Sequence, residues 1–442
     1  VHYDNGSINN IAGISDNTGL IIGMMPHPER TMSKTIKKHL LDLAYINIMN
    51  CRINELMKSE HISYKSTKEY LKKLYTSGDH VICGPGENAG IVDIGGGYAL
   101  VTRMESHNHP IFIDPYEGSQ TGVGGILRDI FTMGGRPICI LDFIRLGIDK
   151  YSDRLLPEIV RGIADYGNCV GIANVGGDLW RGACYNKNPL LNVACVGIIK
   201  KDNIVYGSGK EEGLLMVYVG GRTGADGVGG AAMASAQFTD DTNINDLKES
   251  IQKGDPFLEK LLLEACNELT DNKLIEGAQD MGAGGVLCAT LEIVKRGREA
   301  TGKNLGCVID VDNIPVKYEM DCVKKLISES QERMLLVISP KNRGKVFKIF
   351  EKWDLESVII GRLTNSGKYI VKNSNSKIIY EKEMDNFNDE TQIWQENSIK
   401  EIYKISKIRD KKLWESYDST ISGRTIKGPH QSGAYSIVDL YE

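Results

Sequence analysis

An α+β fold of more than one domain is predicted for this chain by three observations. Short apolar runs with strand character alternate with longer stretches whose apolar residues recur at helical spacing. The 442 residues exceed what one core of ~100–200 residues holds, and 41% apolar with 25% charged residues is a globular composition. Glycine, at 48 residues against 12 prolines, is clustered, which marks tight loops beside ligands. Fifty-three basic against 58 acidic residues leave a net charge of −5, which argues against a basic nucleic-acid binder. No apolar run reaches the ~18 residues of a membrane span. Val1-His2-Tyr3-Asp4 carries neither a basic nor an apolar signal region, so no membrane association and a cytoplasmic location are expected. Ten cysteines are scattered without a C-x-x-C pair and read as reduced, mostly buried thiols.

Residues 1–31 are rich in Asn and Gly, hold two short strands and end in GMMPHPER. From Lys34 the spacing of Ile36, Leu40, Leu43 and Ile48 predicts a helix, and Ser66 or Thr67 with Glu69 opens a second. The run 90–103 predicts a hairpin about Gly95-Gly96-Gly97. A glycine turn at Gly122–Gly125 is then expected to open a helix, followed by a strand at 137–143, a helix at 153–166 and strands at 169–175 and 190–199. In a second unit, a strand near 214–220 leads into a Gly-rich loop. Helices at 256–269 and 284–297 and strands at 305–311, 333–339 and 356–362 follow. A charged helical stretch covers 385–417, and GPHQSGAYSIVDL at 428–440 echoes GPGENAGIVDI at 84–94.

Several polar strings can carry chemistry. RMESHNHP places Glu105, His107, Asn108 and His109 at a strand end, where His107 and His109 share a face with Glu105 only while the chain stays extended. With no thiolate nearby, hard-cation chemistry outweighs zinc, and a plain polar turn is the alternative. Arg128 offers a forked donor and Asp129 a magnesium ligand beside a glycine turn whose backbone N–H groups suit phosphate, although helix packing also selects small residues. Gly-rich turns recur at 220–230, with Asp226, and at 281–285, after Asp280; Asp280 reads equally well as a metal ligand or a helix N-cap. The run from Ser328 to Arg333 is either a recognition junction or a solvated turn.

Taken together, SEHISYK (59–65), GPGENAGIVDIG (84–95), ESHNHP (105–110), TGVGGILRDIFTMG (121–134), YGNCVGI (166–172), GDPFLEKLLLEA (254–265), QDMGAGG (279–285) and SESQERM (328–334) resemble the synthetase subunit of the phosphoribosylformylglycinamidine synthases. The leader NGSINNIAGISDNTGLIIGMMPHPER resembles the end of that enzyme's glutaminase. The resemblance implies a ferredoxin-like β-rich N-terminal subdomain plus an α/β C-terminal subdomain, with helical linkers. The expected division is a glutaminase remnant at 1–31, a helical linker at 32–75, an N-terminal-type domain at 76–205 and a C-terminal-type domain at 206–366. A second linker and the start of a second N-terminal-type domain would occupy 367–442. A partial chain of a two-halved enzyme is expected.

The activity implied is ATP-dependent conversion of formylglycinamide ribonucleotide and glutamine-derived ammonia to the amidine, in purine biosynthesis, through an iminophosphate. By the same likeness His61 and His107 are catalytic, with His107 the proton acceptor, and Tyr64 and Arg103 contact ATP. Glu105, Asp129 and Asp280 hold magnesium; Ser106, His107, Asn108, His109, Arg128, Gln252, Glu329, Ser330 and Gln331 line the substrate. His27 and Glu29 belong to a glutaminase triad whose Cys has no counterpart before Cys51. A glutaminase subunit or domain, a small accessory subunit and self-association through the first synthetase domain are the implied partners. Ile62, Arg103 and Asp114 depart from the family's usual Cys, Lys and Glu, and GPHQSGA departs at the start of the second half. The competing readings are an aminoimidazole ribonucleotide synthase-like cyclase and a catalytically inactive scaffold for a glutaminase.

Overall fold

The structure is a computed structural model that describes residues 76–230 and 251–387, with 13–15, 22–24, 436–437 and scattered positions between 49 and 74. Strands β1 (Gly13–Ser15) and β2 (Ile22–Met24) form an antiparallel pair in the leader. The second linker helix expected at 66–74, the helix at 385–417 and most of the echo at 428–440 lie essentially outside the described residues.

The first unit is a seven-stranded sheet in the order β16-β7-β6-β8-β5-β4-β3. Its strands are β3 (Val81–Cys83), β4 (Gly90–Gly95), β5 (Tyr98–His107), β6 (Arg136–Leu146), β7 (Ala173–Arg181), β8 (Leu190–Lys200) and the two-residue β16 (Ser436–Ile437). The β4–β5 hairpin turns through Gly95, Gly96 and Gly97, all at positive φ, where a side chain would be strained. Helices α1 (His109–Ile113), α2 (Pro115–Thr132) and α3 (Lys150–Val170) follow their strands. Because α3 runs to Val170 and is closed by Gly171 at φ 79°, β7 begins at Ala173 rather than at 169.

The glycine cluster at 122–125 does not open a helix as expected. The α2 N-terminus lies at Pro115, where the Asp114 side chain accepts from Glu117 N at 3.1 Å, so the N–H groups of 122–125 are already inside the helix. Packing selects small residues here: a Cβ on Gly118 would lie 2.6 Å from the carbonyl carbon of Pro110, and one on Gly124 would collide with the Tyr166 hydroxyl.

The second unit is a seven-stranded sheet in the order β10-β12-β9-β13-β11-β14-β15. It comprises β9 (Leu215–Gly220), β10 (Gly277–Asp280), β11 (Gly306–Asp310), β12 (Arg333–Ile338), β13 (Ser357–Thr364), β14 (Lys368–Lys372) and β15 (Ile378–Glu383). Helices α4 (Pro256–Asp271), α5 (Gly285–Thr301), α6 (Cys322–Ile327) and α7 (Arg343–Lys352) accompany it. The second sheet runs past the boundary expected at 366: β14 pairs in parallel with β11 and antiparallel with β15, and a short 3-10 turn continues to Phe387. That pairing is non-local, and the short, lysine-flanked KYIVK gives little local sign of it.

The two sheets differ in how they are covered. In β9, Val217 and Val219 face the core shared with α2, α3 and α4, while Met216 and Tyr218 face a second core with α5, α6 and Met49, Ile53 and Leu56 of the linker. Burial on both faces explains the continuous apolar run of β9. In β5, Ala99 and Val101 are buried, but Tyr98 and Met104 on the other face are 42% and 54% exposed. Val92, Ile94, Ile138 and Val175 on neighbouring strands are exposed as well. Among the described residues no helix is long and apolar enough to cross a membrane.

Candidate active site

Strand alternation puts Arg103, Glu105 and His107 on one face of β5, which stays in register with β8 through His107. Arg103 donates to Glu105 Oε1 at 2.5 Å and reaches Asp129 Oδ2 at 3.4 Å. The extended backbone ends there, so His109 has passed into α1 and no longer shares that face. His107 Nδ1 lies 2.9 Å from the carbonyl oxygen of Gly118. A carbonyl only accepts, so Nδ1 carries the proton and Nε2 is left with its lone pair. Burial lowers the pKa of His107, opposed by the Gly118 hydrogen bond, which keeps the ring a neutral base near pH 7.

Ser106 and Asn108 point elsewhere. The Ser106 hydroxyl donates to Asn192 Oδ1 at 2.6 Å on the opposite face of the sheet, and Asn108 Nδ2 donates to Asn188 Oδ1 at 2.8 Å and Pro189 O at 2.6 Å.

Adjacent residues of α2 link the two units. Asp129 turns to Arg103, while Arg128, with 2% of its side chain exposed, enters the second unit. There it donates to Gln331 Oε1 and to Glu259 Oε2 (3.3 Å), with Glu332 and Asp280 each at 3.8 Å. The Tyr166 hydroxyl donates to Glu332 Oε1 at 2.7 Å. Burial pushes Glu259 up to about 8, with Arg128 opposing and Glu332 adding to the rise. Glu332 holds φ 54°, a conformation costly for a non-glycine residue and maintained here by buried contacts. Sequence reasoning gave no role to Glu259, Tyr166 or Glu332, although each lies within a string it singled out. Glu259 left one sign, a charge on the apolar stripe of Leu262, Leu263 and Cys266.

The run from Ser328 to Arg333 is buried throughout, none of its residues more than 7% exposed, so the solvated-turn alternative is overturned. Glu329 accepts from Gln252 Nε2 at 2.8 Å and from Gly284 N at 3.0 Å, and Gln331 meets Arg128. Ser330 Oγ accepts from Gly224 N at 2.9 Å, and Ser328 Oγ donates to Gly224 O at 2.7 Å, pinning the glycine loop after β9. Asp226 of that loop pairs with Lys317 at 3.2 Å. Asp280 is not a helix cap: Gly284 occupies the N-cap of α5, and Asp280 ends β10 facing Arg128.

Burial, then Glu105 and Asp280, push the Asp129 carboxyl well above the usual range. Three carboxylates from β5, α2 and β10 thus repel one another at the seam, a charge arrangement with hard oxygen donors that suits a divalent cation. Among the described residues no three His, Cys, Asp or Glu are gathered closely enough to hold a metal ion. His27, Glu29, His61 and Tyr64 lie outside the described residues.

The chain is similar to known families and solved structures. The model for the N-terminal domain of AIR synthase related proteins matches residues 86–199, and that for their C-terminal domain matches 211–373. A CobB/CobQ-like glutamine amidotransferase domain matches residues 3–49. The phosphoribosylformylglycinamidine synthase subunit PurL of Caldanaerobacter subterraneus is 48% identical over 324 residues, 73% of this chain and 43% of that protein. The same subunit from Granulibacter bethesdensis is 40% identical over 407 residues, 86% of this chain and 55% of that protein. The chain therefore spans about half the length of the curated relatives it matches. Thermotoga maritima PurL complexed with FGAR superposes with a TM-score of 0.70 at 37% identity, covering 79% of this chain and 56% of that one. A HypE–HypF complex, at 19% identity and a TM-score of 0.53, shares the fold.

Proposed function

The chain belongs to the AIR synthase related proteins, and on that premise we propose that it forms the first half of an ATP-dependent phosphoribosylformylglycinamidine synthase. In this reading the amide oxygen of formylglycinamide ribonucleotide attacks the γ-phosphorus of ATP and ADP leaves. Ammonia then adds to the activated carbon, and phosphate departs with the oxygen to leave the amidine. The observation that carries the reading is the neutral His107, held by Gly118 with a free Nε2, on the strand face that also presents Arg103 and Glu105 to Asp129. Nε2 is suited to take a proton from ammonia as the C–N bond forms.

Glu105, Asp129 and Asp280 are not gathered closely enough to form a metal cage by themselves, so they would hold magnesium as single carboxylates that share it with phosphate oxygens, whose charge it would neutralise. Arg103 is the ATP contact in this half. His61 and Tyr64 complete the proposed catalytic and ATP sets. Gln252, Glu329, Ser330, Gln331, His107 and His109 are proposed for the ribonucleotide. Because Ser106 and Asn108 direct their side chains to the 188–192 stretch, their contacts with substrate would run through the backbone. Arg128 is committed to protein partners and would act by holding Gln331. Ammonia would come from a glutaminase subunit or domain, with a small accessory subunit, in the cytoplasm; the matched leader, with His27 and Glu29, is consistent with that pairing.

The test is ADP release with ammonia and magnesium present. Release that requires formylglycinamide ribonucleotide is expected of this half joined to a second synthetase-type half, and ribonucleotide binding without turnover of this half alone. Absence of both turnover and calorimetric binding of the ribonucleotide overturns the reading.

The open face of the first sheet fits the same reading. Tyr98, Met104, Ile94 and Ile138 are too apolar a group to leave in water, and we propose that a second synthetase-type unit covers them. Where no other unit supplies this cover, a second copy of the chain would. Sedimentation of the chain is expected to show a concentration-dependent dimer that Met104→Asp dissociates. A monomer at every concentration would count against the pairing.

A further inference from the structure

One arginine, assigned no role above, stands behind the seam. Arg296, on α5 and 17% exposed at its side chain, donates from all three guanidinium nitrogens. Nε donates to Gly86 O at 2.9 Å, one terminal nitrogen to Asn88 Oδ1 at 3.3 Å and Gln279 Oε1 at 2.7 Å, and the other to Glu292 Oε2 at 3.1 Å. An arginine has only donors, so the oxygen of the Gln279 amide must face it. The amide nitrogen of Gln279 is thereby aimed the other way, and it lies 3.4 Å from Asp280 Oδ1. Gln279 is 6% exposed, so the amide has little solvent with which to exchange these partners. The loop before β4 is tied to the same strand, since Asn88 Nδ2 donates to Ala278 O at 3.4 Å.

Gly207 supplies an independent sign. A Cβ there would run into the Arg296 guanidinium and lie 2.9 Å from Gln279 Oε1 and 3.2 Å from Glu87 Oε2, while Gly207 N donates to Glu87 Oε2 at 2.9 Å. The backbone approaches the arginine so closely that only glycine leaves the contact between Arg296 and Gln279 intact.

We propose that Arg296 and Gln279 are positioning residues for the Asp280 carboxylate, fixing its rotation by a relay from Arg296 through the Gln279 amide, with Gly207 as the clearance the relay needs. The inference rests on the reading of Asp280 as a magnesium ligand. A ligating carboxylate whose outer oxygen is held by a fixed donor presents the other oxygen in one orientation.

The experiment titrates Mn2+ as the probe into the chain with AMPPCP, followed by electron paramagnetic resonance, alongside thermal melts. Gln279→Glu keeps an acceptor for Arg296 but sets a carboxylate against Asp280. Arg296→Met frees the amide to flip, and Gly207→Ala displaces the arginine. Each is expected to weaken Mn2+ binding by ~10–100-fold, with Arg296→Lys recovering part of the loss. Asp280→Asn separates the two claims. Binding unchanged in Asp280→Asn overturns the ligand reading, whereas binding lost there but intact in Gln279→Glu and Arg296→Met overturns the relay alone.

A second readout needs no metal. In a sample 15N-labelled at glutamine side chains, the Gln279 amide resonance, assigned by its loss in Gln279→Leu, is expected to move in both Arg296→Met and Asp280→Asn. A resonance that moves in neither overturns the relay whether or not Mn2+ binds.

Discussion

Arg128→Met is expected to destabilise the chain by ~3–5 kcal/mol, the loss typical when one member of a buried ion pair is removed. Among the described residues Arg128 is the cation that lies within 4 Å of both Glu259 and Glu332, at the join of the two units. Methionine fills much of the volume but leaves Glu332 to stay charged or to take up a proton in an apolar site, beside a Glu259 that burial already keeps mostly protonated at pH 7. A urea titration at pH 7 measures the loss, and a midpoint within experimental error of the parent would show that the hub contributes no stability.

The same hub makes stability depend on pH. Glu259 is raised above its ordinary value of 4.5 to about 8 in the folded chain. The folded state therefore holds a proton that the unfolded state has released, and stability falls as pH rises between those values. Glu259→Gln, which removes the ionisation and keeps an oxygen for Arg128, is expected to flatten that slope.

His107→Gln is expected to lower ribonucleotide-dependent ADP release by ~10²–10⁴-fold, the range for loss of a general base. Glutamine can still donate to the Gly118 carbonyl but offers no basic nitrogen on its far side. The melting temperature should stay near that of the parent, since the ring closes no buried ion pair. Steady-state assays of equally folded protein check this. Full activity in His107→Gln would remove the histidine from the chemistry and leave it a packing residue beside Gly122, whose Cβ would lie 3.7 Å from the ring.

The α+β class and the order of the longer helices and most strands were legible in the amino-acid sequence, whereas β10, α7, β14 and β15 were not. Alternation and helical period are local, and a strand such as β9, buried on both faces, announces itself as an unbroken apolar run. The motif strings also hold residues that the structure brings into contact: Arg103 with Glu105 and Asp129, and Arg128 with Gln331 and Asp280. Where local chemistry allowed two answers, only the tertiary structure chose. Gly124 serves close packing against Tyr166 while Gly122 and Gly125 make only ordinary contacts, and none of them opens the helix because Asp114 and Pro115 start it earlier. Asp280 is not a cap because Gly284 takes that place, and the Ser328–Arg333 turn is dry because the glycine loop after β9 folds over it. Alternation was readable, but which strand face would meet a helix was not, and Ser106, set beside His107 among the substrate residues by resemblance, bonds Asn192 on the opposite face of the sheet. The Arg128 hub and the Arg296 relay join positions as much as 203 and 210 residues apart. Nothing in either local sequence signals the other partner, because their meeting is fixed by the packing of two sheets around shared helices.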